Sequence, residues 1–129
     1  MIAAALNASV LAASVLATPA LAQDGAALYA QSCQACHQPG GAGVPGAFPK
    51  LAGNALVNGP PGPVAHVVLN GRGGMPQFGG DLSDEDIATV ITYVRASFGN
   101  KAGPVTAAMI KAEREAGAIP PPSNGAQAH

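Results

Sequence analysis

The chain has 129 residues, a length that fits a single domain. Six basic and seven acidic residues leave a net charge of −1, which excludes the electrostatic footprint of a nucleic-acid-binding protein. With three Phe, two Tyr, no Trp, 17 Gly and 12 Pro, the side chains alone make only a thin core.

Residues 1–22 carry no charge, are rich in Ala, Leu and Val, and end in Ala20-Leu21-Ala22 before Gln23. That small-x-small ending reads as a signal-peptidase site, so the working protein is expected to begin at Gln23, in the periplasm. No Lys or Arg precedes the apolar run, which points to a start inside a longer signal. The competing reading is an uncleaved membrane anchor, which Asn7, Ser9, Ser14 and Thr18 make a poor one. Membrane attachment is expected only in that case, and both readings export the domain.

Asp24 caps a helix that runs through Leu28 and Tyr29 toward Cys33-Gln34-Ala35-Cys36-His37. These are the only cysteines of the chain. Two thiols at this spacing can each add to one vinyl group of a haem, and the adjacent imidazole then lies under the iron. Other readings use less of the motif. A Cys33–Cys36 disulfide leaves His37 without a role. A thiol–disulfide oxidoreductase wants its cysteines after a strand, and no strand pattern precedes Cys33. A structural zinc site needs four ligands, and only His66 and His129 remain. One motif implies one haem c per chain, and a covalently held porphyrin would supply the apolar mass that the composition lacks.

From Gln38 to Gly62 the chain is rich in Gly and Pro, a loop with one helical turn at Ala55–Val57. Pro63 to Asn70 reads as a short helix with Gly71 as its stop. The next loop carries Gly73-Gly74-Met75-Pro76, where glycines would let the backbone approach a porphyrin and a thioether could reach the iron. Met75 as an ordinary core residue is the competing reading; Met1 and Met109 lie outside the region that would enclose a haem. Ser83-Asp84-Glu85-Asp86 opens a helix expected to reach Phe98, with Ile87, Val90, Ile91, Val94 and Phe98 on one buried face. The capping role accounts for most of that acid cluster, Asp81 included. No strand pattern and no internal repeat occur.

Over residues 24–100 the sequence resembles the class I c-type cytochromes, in the order short helix, C-x-x-C-H, Pro/Gly loop, helix, Met-bearing loop and amphipathic helix. The resemblance implies an all-α cytochrome c fold, with small helices and loops wrapped around one covalent haem that shows only an edge. It implies that Cys33 and Cys36 form the thioethers and that His37 and Met75 ligate the iron. Pro49-Lys50-Leu51-Ala52-Gly53 resembles the family's Pro-x-Leu-x-Gly stretch, in which the Pro49 carbonyl would fix the His37 ring and Leu51 would pack on the haem. Gly25 and Tyr29 resemble the family's small-then-aromatic pair, facing Val90 and Tyr93 on the last helix. Arg72 is a candidate partner for a haem propionate, against a solvated surface arginine. His66 is the alternative iron ligand, against an ordinary surface histidine.

The domain is thus expected over 23–103. Residues 104–129 form an extension: a helix over Pro104–Gly117 capped by Thr106, then a flexible end from Pro120, expected to be dispensable for haem binding. The leading function is one-electron transfer without enzyme activity, from a periplasmic dehydrogenase to a cytochrome or terminal oxidase of a respiratory chain. Tyr93-Val94-Arg95 and Gly99 to Thr106 look like the end of cytochrome c domains associated with alcohol and aldehyde dehydrogenases. Free carrier and dedicated subunit therefore both stay open. The rival function is a haem enzyme or gas sensor with an open sixth coordination position, and Met75 discriminates between the two.

Overall fold

A computed structural model describes residues 24–117. The signal-like segment 1–22, Gln23 and the end from residue 118, with its three prolines, lie outside the described residues. Among the described residues, six α-helices follow in order: α1 (Gly25–Ser32), α2 (Gln34–His37), α3 (Ala55–Asn58), α4 (Pro61–Asn70), α5 (Asp84–Ala96) and α6 (Ala107–Ala116). Among the described residues there is no strand, only isolated bridges between Val44 and Phe48 and between Arg72 and Met75. No helix among them is long and apolar enough to cross a membrane.

The helix starts follow the capping chemistry of the sequence. The Asp24 carboxylate accepts from Ala27 N at 2.7 Å, Ser83 Oγ from Asp86 N at 3.1 Å, and Thr106 Oγ1 from Met109 N at 3.3 Å. Helix α4 begins two residues before the expected start, because Pro61 fits a first helical turn as well as Pro63 does. Helix α5 ends at Ala96, short of Phe98. Ser97 is extended and Phe98 takes a φ of 59°, which turns its ring back toward Tyr29 at 5.1 Å and Tyr93 at 5.8 Å. The aromatic contacts offset the backbone cost of that turn.

Helix α1 crosses α5 closely. A Cβ on Gly25 would collide with the Tyr93 Cβ and sit 3.0 Å from the Thr89 carbonyl oxygen, so this position tolerates no side chain. The core behind the crossing holds Leu28, Leu69, Ile87 and Ile110, all fully buried. Each contributes about 1.5–3 kcal/mol from burial.

Ile110 belongs to α6, which packs on both α4 and α5. The helix is therefore part of the packed body and not the appendage that its weak apolar face suggested. It buries one aliphatic side chain and one arginine, Arg114, and hydrophobic periodicity does not register a buried arginine.

Candidate cofactor site

The haem-type motif sits where α1 gives way to α2. Cys33 closes α1, its N–H donating to the Tyr29 carbonyl at 2.9 Å, and α2 carries Cys36 and His37 into the interior. The Tyr29 hydroxyl donates to the Gln38 carbonyl at 2.7 Å, tying the end of this turn to α1. Burial raises the Tyr29 hydroxyl above its ordinary range, so it stays a donor.

His37 is buried, and its Nδ1 lies 2.9 Å from the Pro49 carbonyl oxygen. That contact fixes the ring and leaves Nε2 as the nitrogen available to a metal. The two cysteines are not bonded to each other. Burial pushes the Cys33 thiol up to about 11, and the neighbouring Cys36 adds to the rise. A redox-active C-x-x-C has its first thiol shifted the opposite way.

Cys33, Cys36, His37, Pro49, Leu51, Arg72 and Met75, the seven residues expected to contact a haem, line one cavity of about 420 Å³. Its remaining walls are mostly aliphatic and aromatic, among them Val64, Val68, Phe78, Leu82, Ile91 and Val94. The volume falls in the range of small-molecule sites. Two thiols and an imidazole at one wall, a thioether in the Met75 loop and an apolar lining match the needs of a covalently attached, axially ligated porphyrin. The residues present fit that group.

The Met75 loop is held by the backbone. Arg72 and Met75 exchange hydrogen bonds of 3.2 and 3.0 Å, while Phe78 N and Gly79 N donate to the carbonyls of Val68 and Leu69. Gly71 ends α4 at a φ of +72°, and a Cβ there would lie 2.5 Å from the Met75 carbonyl oxygen. The loop therefore folds back on the end of α4 only because residue 71 is glycine.

His66 does not join the site. It lies exposed on α4, its Nδ1 2.9 Å from Glu113 Oε1 on α6. Two residues that the sequence reading passed over matter more. Asn100 is buried and uses its whole amide: Oδ1 accepts from Gly53 N and Asn58 Nδ2, and Nδ2 donates to the Leu51 and Val94 carbonyls. It thereby seats the Pro49–Gly53 stretch against the end of α5.

Arg95 is the second. It is 5% exposed, and it lines the cavity. Nε donates to the Gly103 carbonyl, and Nη1 to those of Val57 and Gly59, at 2.7–2.8 Å. Nη2 has no partner among the described residues, and no carboxylate among them pairs with the guanidinium. An arginine interrupting an apolar helix face was the signal available for it.

Comparison with known proteins agrees with this geometry. Residues 20–94, more than half of the chain, match the family model described as cytochrome C oxidase, cbb3-type, subunit III. The chain is 37% identical over 107 residues to the "Alcohol dehydrogenase (quinone), cytochrome c subunit" of Gluconacetobacter polyoxogenes. That match covers 73% of this chain and 23% of the relative, so the chain spans about a quarter of that subunit. It is 38% identical over 98 residues to cytochrome c-552 of Thermus thermophilus, covering 63% of this chain and 65% of the relative. It is 41% identical over 92 residues to cytochrome c6 of a Picosynechococcus species, covering 60% and 76%. The chain belongs to the cytochrome c family, the electron-transfer proteins that carry covalently bound haem.

Proposed function

We propose that this cytochrome carries a single haem c and passes one electron at a time between a dehydrogenase and a respiratory acceptor in the periplasm. The observation that carries the reading is the convergence of Cys33, Cys36, Met75 and a Pro49-oriented His37 on one apolar cavity. Cys33 and Cys36 would hold the haem through thioethers, and His37 Nε2 and the Met75 sulfur would ligate its iron. When bound, the haem supplies one-electron cycling between ferric and ferrous iron. The chain contributes the rest. Pro49 orients the proximal ring, the aliphatic wall excludes water, and the Met75 loop closes the distal side.

Met75 on the cavity wall favours a carrier over the rival haem enzyme or gas sensor, which would need that position open. In place of Arg72, which is exposed, Arg95 is the main partner of a propionate. The Arg95 guanidinium is held by three carbonyls at the cavity wall, and its Nη2, accessible and with two donors unspent, suits an anion there. Exposed Phe48 and Val44, on the loop that meets the cavity, support brief apolar docking of a redox partner. Likeness to a dehydrogenase's cytochrome subunit supports a dehydrogenase as donor and leaves both a free carrier and a subunit as forms of this reading. Residues 1–22 act as the export signal.

Denaturing mass spectrometry of the protein expressed with its leader and recovered from the periplasm tests the proposal. The mature chain plus one haem is expected. Haem released by acidified organic solvent, or more than one haem per chain, would overturn it.

A further inference from the structure

Arg114 sits on α6, outside the residues that match the family model. It is 3% exposed, a degree of burial that an arginine rarely reaches without fixed partners. Three of its partners lie between the exit of the Met75 loop and the first residue of α5. Nε donates to Asp84 Oδ1 at 2.8 Å, Nη1 to the Gly79 carbonyl, and Nη2 to the Leu82 carbonyl at 3.3 Å.

Those contacts define a mechanical path. Gly79 is four residues beyond Met75, and its N–H is already bonded to the Leu69 carbonyl at the end of α4. Its carbonyl is taken by Arg114, so both backbone polar groups of this one residue are spent in the fold. Leu82, the second residue held, lines the cavity as Phe78 and Met75 do. Asp84, the third, is the first residue of α5. One guanidinium thus spans the whole exit of the Met75 loop, from its turn at Gly79 to the helix that forms the cavity's far wall.

We infer that Arg114 is a positioning residue for the distal ligand: α6 reaches over the fold to lock the segment that presents Met75. The inference rests on the reading of Met75 as an iron ligand. Without the lock, the segment from Pro76 to Leu82 is tied to α4 by two backbone bonds and to the core by the packing of Leu82, and it opens more often. Each opening takes the sulfur off the iron and admits an external ligand. Charge-assisted hydrogen bonds in a buried site are the strong ones, so the effect on opening is large.

The experiment is imidazole binding to the ferric holoprotein, followed in the visible spectrum together with the weak near-infrared sulfur-to-iron band. Arg114→Met is expected to raise imidazole affinity about tenfold or more. Arg114→Lys, which retains one charged donor, should recover part of the difference. Ile110→Ala serves as the packing control: it weakens α6 docking and lowers the unfolding midpoint, but should leave imidazole affinity close to wild type.

An unchanged imidazole affinity in Arg114→Met overturns the inference while leaving Met75 as ligand. So does an equal rise in Ile110→Ala, which would assign the effect to helix docking alone. A wild-type protein that lacks the near-infrared band overturns the Met75 reading, and the role of Arg114 falls with it. If Arg114→Met yields no holoprotein, Asp84→Asn replaces it. Asp84→Asn weakens the same guanidinium from its other side, and wild-type imidazole affinity in that variant counts against the lock.

Discussion

His37 and Pro49, twelve positions apart in the chain, are joined by a 2.9 Å contact between a ring nitrogen and a backbone carbonyl. The loop that makes this contact is not free to drift. Its Leu51 N–H donates to the Gly41 carbonyl, and the Asn100 side chain holds the Leu51 carbonyl and Gly53 N–H. The proximal ring is thus fixed by a carbonyl whose own position is set from the end of α5.

Pro49→Ala keeps the carbonyl and releases the fixed φ of proline. A looser hydrogen bond makes the imidazole a weaker donor to iron, which favours the ferrous state. The midpoint potential should rise, as read by spectroelectrochemical titration. A fall in potential would show that the contact does not strengthen donation from His37.

Met75→Ala should abolish the near-infrared sulfur-to-iron band and lower the midpoint potential, because a thioether favours ferrous iron. His66→Ala should change neither, since His66 is engaged with Glu113 on the far side of α4. If the band survives in Met75→Ala, the distal ligand lies elsewhere.

The two cavity arginines should separate. Arg95→Met removes a buried positive charge beside the iron site and should lower the potential clearly. Arg72→Met removes an exposed one, screened by water and salt, and should lower it little. Equal shifts in the two variants would contradict the assignment of the propionate to Arg95. Arg95→Met should also destabilise the fold, by about 1–3 kcal/mol for each carbonyl left without a donor.

Ile110→Ala should cost about 2–5 kcal/mol of stability, the range for emptying a fully buried aliphatic site. Truncation after Gly103 removes Ile110 and Arg114 together and should abolish cooperative thermal unfolding of the holoprotein. A truncated chain with the wild-type midpoint would restore the view of α6 as an appendage.

The residues that chemistry demands at fixed spacing were legible in the sequence. Cys33, Cys36 and His37 declare themselves locally, and the Met75 loop is marked by its glycines and its place before the capped start of α5. The helix starts capped by Asp24, Ser83 and Thr106 were legible for the same reason, because a capping side chain acts within three residues. What was not legible depends on partners distant in the chain. Phe98 leaves α5 to join Tyr29, Arg95 spends its donors on carbonyls of 57, 59 and 103, and Arg114 reaches back to 79–84. Polar residues buried through long-range backbone contacts look like surface residues to any periodicity argument. For that reason Arg72, three residues before Met75, draws attention in the sequence, while Arg95 is the arginine buried against the cavity.

The close crossing at Gly25 also constrains how the chain folds. It joins the first described helix to the last turns of α5, so almost the whole domain must be looped out before this contact can form. Loop closure of that length carries an entropic cost that no local helix repays, since α1 spans only eight residues. A porphyrin tethered at Cys33 and Cys36, as proposed, would change the sequence of events. It would give α1's end an apolar surface on which α4, the Met75 loop and α5 condense one after another. The crossing then closes last, as a latch on a body already assembled, and the chain without its porphyrin should collapse without ever engaging it.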